Sequence, residues 1–129
     1  MEGPATAMRV PDPGVRALFG REPSWQAWLD CEAELADAQE ELGMVPAEAA
    51  VEIRSKARLE LIDLDAVLEG LRVTGHPLVP LIWELSKICE GNAGGFVHWG
   101  ATTQNITQTG LLLQVRKAHR IFLAQIARI

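Results

Sequence analysis

The sequence predicts an all-α fold, an N-terminal helical domain leading into the first long helix of a bundle. Three observations predict it. Apolar residues recur at helical spacing in several separate segments, and residues that start or stop helices bound those segments. From Ile106 onward a single periodic pattern also runs without interruption to the end of the chain.

In order, residues 1–13 carry three prolines and little periodicity, which predicts an extended arm. Arg9 is the charge in that arm whose placement suggests a role, at the surface or against a ligand. Residues 14–19 can form a short helical turn before Gly20. The first clear helix is expected over 23–42, opened by Glu22 or Ser24 and closed by Gly43. Trp25, Trp28, Leu29, Leu35, Ala36 and Leu42 fall on one stripe, and Asp30, Glu34, Asp37 and Glu41 lie off it. Glu32 sits on or near the apolar face, where a buried or rim salt-bridge partner is the expectation.

Met44, Val45 and Pro46 make a turn, with Pro46 suited to a first helical position. Residues 47–58 read as a charged, partly exposed helix. Asp63 opens another, carrying Leu64, Val67, Leu68 and Leu71 and ending by Gly75. A fourth runs over 77–88 with Leu78, Leu81, Ile82, Leu85 and Ile88 on a common face; Pro80 is tolerable in its first turn. A glycine-rich loop over 91–95 follows.

The last helix is expected from Thr102 or Thr103 to Ile129. Leu112, Val115, His119, Phe122, Ile126 and Ile129 alternate at three and four residues, a coiled-coil-like seam on which His119 would be a hydrogen-bonded core residue. The pattern stops mid-seam with no Gly, Asn or polar tail. The chain therefore reads as the N-terminal piece of a longer protein, with residues 1–101 as a helical domain and 102–129 as the start of a truncated bundle helix.

The 129 residues suffice for one domain with a real core. A formal net charge of −5 and the lack of a clustered basic face argue against nucleic acid. Cys31 and Cys89 stand far apart with no CxxC and no nearby His pair, as buried free thiols in a reducing compartment would. No metal and no cofactor is expected. No apolar run reaches the ~18–20 residues of a membrane span, and no signal peptide opens the chain, which makes the cytoplasm the expected location.

Residues 97–109, VHWGATTQNITQT, concentrate uncharged hydrogen-bonding groups as no other stretch does. Thr102, Thr103, Gln104 and Asn105 lead directly into the last helix. Two readings apply. Thr and Asn cap helices, and capping alone would use one or two of them. A helix opening here also aims free N–H groups, hydroxyls and amides at one spot, which suits a carboxylate or phosphate.

This stretch, continued by TG-LL-Q-R, resembles the first signature region of the fumarase/aspartase lyase superfamily. The likeness is to its adenylosuccinate lyase and 3-carboxy-cis,cis-muconate cycloisomerase branch, whose pattern runs V-H-x-G-[AL]-T-S-x-D. WQAWLDCEAELADAQEELGMVP resembles the same family's first long helix and its Gly-x-[IV]-Pro turn. Thr103 replaces the usual Ser and keeps the hydroxyl; Asn105 replaces the usual Asp and loses a charge.

The resemblance implies a cofactor-free lyase, a homotetramer acting on a small dicarboxylate-containing substrate. Such enzymes remove a proton beta to a departing nitrogen or oxygen and release fumarate or a close relative. The intermediate carbanion is stabilised as an aci-carboxylate, so the protein must grip a carboxylate that gains charge. Thr102, Thr103, Gln104 and Asn105 are assigned that grip. His98 matches the signature histidine, and His76 falls where adenylosuccinate lyases carry an active-site histidine; both are assigned as catalytic, binding substrate or helping to move protons.

Some family elements do not match. The mobile serine loop, G-S-S-x-M-P-x-K-x-N-P, and the G-R-T-H-like segment do not occur, so this polypeptide alone is expected to be inactive. Val10 stands where a Tyr accompanies the phosphate-binding Arg at Arg9, and Gly75 and Pro77 replace the Arg and Asp flanking His76. The resemblance implies an adenylosuccinate-like or N-substituted aspartate substrate, and these departures, which disfavour a purine nucleotide, favour a smaller N-substituted aspartate or a related dicarboxylate. A cycloisomerase and a non-catalytic helical interaction module are the alternatives; in a truncated chain a missing partner would leave Leu112, Phe122 and Ile126 partly exposed, and the fragment is expected to self-associate through them.

Overall fold

The computed structural model describes residues 11–129, so the expectations for Arg9, Val10 and most of the arm lie outside the described residues. Five helices form: α1 over Arg21–Glu41, α2 over Ala47–Lys56, α3 over Leu64–Thr74, α4 over Leu78–Ile88 and α5 over Thr103–Ile126. Short 3-10 turns occur at Arg16–Phe19, Leu59–Leu61 and Ala93–Phe96, and no strand occurs among the described residues. The fold is all-α.

Local chemistry explains the boundaries. The α1 helix starts at Arg21, two residues before Pro23, because proline's missing N–H is unneeded in a first turn. Ser24 does not cap it; its hydroxyl donates back to the Gly20 carbonyl at 2.8 Å. The Asp63 carboxylate caps α3 by accepting from Ala66 N–H at 3.0 Å. Gly75 closes α3 at φ 69°, a left-handed conformation in which a side chain is strained.

The α1 helix organises the molecule, packing against both α2 and α5, while α3 packs on α4. One core cluster joins Trp25 and Leu29 of α1 to Val67, Leu78, Leu81, Leu85 and Ile106. A second gathers Ala36, Val45, Ala49, Ala50, Ile53 and Ala93. The small residues of the second cluster let α2 approach α1 closely. Leu42, expected on the buried stripe, is 75 % exposed because α1 ends before it.

The face of α5 differs from the expected one. Its buried stripe is Ile106, Gly110, Gln114 and Ala118. Leu112, Val115, Phe122, Ile126 and Ile129 are exposed. His119 is exposed as well, not a core residue. The physical reason is close approach: a Cβ at Gly110 would lie 2.6 Å from Trp28 Cδ1. Gln114 also turns inward, its Nε2 donating to the Leu18 carbonyl at 2.5 Å and to Ser24 Oγ at 3.0 Å. Small and polar residues thus fit against α1 where the large hydrophobes of the seam cannot.

Cys31 is buried and Cys89 half-buried, both free. Burial pushes each thiol up to about 11, with neighbouring carboxylates adding to it, which keeps both protonated at neutral pH.

Candidate functional site

Two side chains of α1, Trp28 and Glu32, stand one helical turn apart, about 6 Å along the axis. Each contacts one of the two candidate histidines.

Glu32 is 2 % exposed, an unusual place for a carboxylate. Its Oε1 lies 2.6 Å from His98 Nδ1, and its Oε2 is buried with no hydrogen-bond partner among the described residues. Burial pushes the Glu32 carboxyl above the ordinary carboxylate range, and the bond to His98 works against that rise.

His98 is the described non-glycine residue with positive φ, at 61°. That conformation costs about 1–2 kcal/mol and persists only where the surroundings impose it. Here Glu32 holds the ring, and the buried Gln39 of α1 holds the next residue, its Nε2 donating to the Trp99 carbonyl at 2.7 Å. The Phe96 and Trp99 rings meet at 5.7 Å on the other side of His98 in sequence. The signature loop is thereby pinned to α1 at its histidine and at the residue after it.

His76 is exposed and immediately precedes the start of α4. Its Nδ1 accepts from the Leu78 N–H at 3.2 Å, satisfying one orphan donor of that helix. The neutral ring therefore carries its proton on Nε2. Its plane stacks on Trp28, centroids 5.9 Å apart and 25° from parallel.

The start of α5 separates the four residues assigned to the carboxylate. Thr102 and Asn105 engage each other: Thr102 Oγ1 accepts from the Asn105 N–H at 3.3 Å. In return, Asn105 Oδ1 accepts from the Thr102 N–H at 3.0 Å and from its hydroxyl at 2.7 Å. This reciprocal cap absorbs both side-chain oxygens. Among the described residues, the backbone N–H groups of Thr103 and Gln104, their side chains and the Asn105 Nδ2 have no hydrogen-bond acceptor or donor partner. An apolar groove of about 510 Å³ adjoins this helix start, with Leu35, Met44, Trp99, Asn105 and Ile106 among its lining; neither histidine lines it.

Sequence reasoning put Glu32 on the apolar face but did not pair it with a particular residue. It places Trp28 only on the apolar stripe of its helix and gives Gln39 and Gln114 no role. The available signal was the i,i+4 spacing of Trp28 and Glu32 on one face.

No family model matches the chain. Curated relatives and solved structures do. The chain is 40 % identical over 121 residues to the adenylosuccinate lyase of Methanothermobacter thermautotrophicus, covering 94 % of this chain and 27 % of that one. It is 41 % identical over 109 residues to the N-acetyl-S-(2-succino)cysteine lyase of Enterococcus italicus, covering 84 % and 24 %. The crystal structure of the 3-carboxy-cis,cis-muconate lactonizing enzyme from Pseudomonas putida superposes with a TM-score of 0.81 at 34 % identity, covering 88 % of this chain and 26 % of that one.

All-helical architecture and these likenesses place the chain among the helical proteins of one lyase superfamily. The chain belongs to the fumarase/aspartase lyase superfamily, in its adenylosuccinate lyase and 3-carboxy-cis,cis-muconate cycloisomerase branch, and corresponds to the N-terminal part of such enzymes. It spans about a quarter of the length of the relatives it matches.

Proposed function

We propose that this chain supplies the carboxylate grip and two histidines of a lyase that releases fumarate by β-elimination from an adenylosuccinate-like or N-substituted aspartate substrate. The observation that carries the reading is the start of α5. There a self-satisfied Thr102–Asn105 cap leaves the Thr103 and Gln104 N–H groups fixed and free at the positive end of a helix. Such donors are oriented before the reaction and suit a carboxylate that gains charge as the carbanion forms.

In that reaction a base takes the proton beta to the departing nitrogen. The C–H electrons become the new C=C bond, the C–N bond breaks, and the nitrogen leaves with a proton. His76, with its proton on the exposed ring's Nε2, suits donating a hydrogen bond to the substrate; His98 suits contact with the substrate or transfer of a proton. The full enzyme is a cytoplasmic homotetramer in this reading, with a second copy covering the exposed seam of α5. Residues 102–129 form the start of its bundle helix. Gly75 and Pro77 around His76 favour a substrate smaller than a purine nucleotide, in keeping with the succinocysteine lyase among the relatives. A cycloisomerase is the second reading, favoured by the close superposition on the lactonizing enzyme.

The test is substitution in the full-length lyase. Thr103→Ala and His98→Ala should each lower fumarate release about 10²- to 10³-fold with assembly intact; unchanged turnover would leave the segment a mere helix cap. The 129-residue chain by itself should release no fumarate.

A further inference from the structure

The mechanism above uses His98 but leaves its buried partner without a role. Glu32 and His98 are 66 residues apart in sequence, yet their side chains meet at 2.6 Å. The glutamate side chain is 1 % exposed and the imidazole 18 %, so the carboxylate is closed to solvent while the ring stays partly open. A carboxylate is rarely left on a buried helix face without a partner that needs it. His98 in turn adopts a positive φ that a free histidine would avoid. Each residue sits in an unfavourable place that only the other makes sense of.

We propose that Glu32 is the positioning residue of His98: its carboxylate accepts the Nδ1–H, fixes the ring's orientation and tautomer, and leaves Nε2 as the nitrogen that meets the substrate. This deepens the lyase reading and rests on it for the word substrate, but the tautomer itself does not. A histidine's free nitrogen is defined by the bond its other nitrogen makes. With the proton held on Nδ1, Nε2 of the neutral ring carries the lone pair, able to accept a hydrogen bond or take up a proton and return it. His76 is fixed the opposite way, with Nδ1 accepting from Leu78 N–H and the proton on Nε2. Glu32 of α1 thus sets His98 as an acceptor at Nε2, while Leu78 of α4 sets His76, stacked on Trp28 of α1, as a donor there.

The test is long-range ¹H–¹⁵N correlation of the imidazole rings in the ¹⁵N-labelled 129-residue chain, at a pH where the rings are neutral. His98 is assigned by its loss in His98→Gln, and the exposed His119 is the internal reference for an unconstrained ring. The expected spectrum has the proton on Nδ1 of His98. In Glu32→Leu the protonated-type shift moves to Nε2, so that His98 takes the pattern of His119 while His119 stays unchanged. A wild-type His98 protonated on Nε2 overturns the proposal and places the shared proton on Glu32; so does a Glu32→Leu spectrum identical to wild type. If Glu32→Leu does not fold, the wild-type spectrum decides alone. No substrate enters this measurement, so a wrong tautomer removes the positioning role and leaves the lyase reading standing. Failure of the turnover tests would do the reverse.

Discussion

Glu32 is a buried carboxylate on a largely apolar helix face, and its cost has a pH signature. The carboxyl is raised above its ordinary 4.5, with burial the largest cause and His98 opposing. A raised folded-state value means the folded chain binds this proton more tightly than the unfolded chain does. The resulting stability is fully present below about 4.5 and is lost as pH rises through the raised value. Urea unfolding should therefore show wild-type stability falling across that window, and Glu32→Gln should flatten the fall. A variant that keeps the wild-type slope would contradict this account. At Thr102 the expectation is simpler: Thr102→Ala removes a reciprocal cap and should cost about 1 kcal/mol. The identities of both residues were legible in the sequence, but their partners were legible to different extents. Asn105 lies three residues from Thr102, within reach of a local pattern, whereas His98 lies 66 residues from Glu32, beyond any spacing rule.

At the scale of elements, α1 matters most because it contacts both histidines. Its extent followed closely from the Trp25–Leu29 stripe and Gly43, with a shift at the start that Pro23 explains. The stripe of α5 that meets α1 was its least legible feature, and His119 on the seam is exposed where a core residue is expected from the spacing. Large hydrophobes on the Leu112–Phe122 seam make a stronger periodic signal than Ile106, Gly110, Gln114 and Ala118, yet contact with α1 selects residues small enough for Trp28. Gly110→Ala tests this directly. Its Cβ would meet Trp28 Cδ1 at 2.6 Å, so the substitution should destabilise the fold by about 1–3 kcal/mol and displace the ring that stacks on His76. A neutral effect on thermal unfolding, with His76 ring shifts unchanged, would count against Trp28 as the shared contact.

Across the whole molecule, helix count and order were legible because each helix carries its own start or stop residue. The candidate site was legible only as a list: the sequence names His76, His98 and residues 102–105, while in the folded chain α1 contacts both histidines and Thr102 and Asn105 occupy each other. The seam of α5 leaves Leu112, Phe122 and Ile126 in solvent, an apolar stripe that a second copy would cover. Sedimentation should show concentration-dependent self-association that Phe122→Glu abolishes without unfolding the chain; a monomer at all concentrations would contradict it. Among the described residues no helix is long and apolar enough to cross a membrane.

The central claim is that the start of α5 grips a dicarboxylate. Its most direct test is a fumarate titration of the ¹⁵N-labelled chain followed through backbone amides. Saturable shifts centred on Thr103 and Gln104, absent with an uncharged diamide of fumarate, are the predicted result. Shifts spread evenly over the surface, or none at those two amides, would contradict the account.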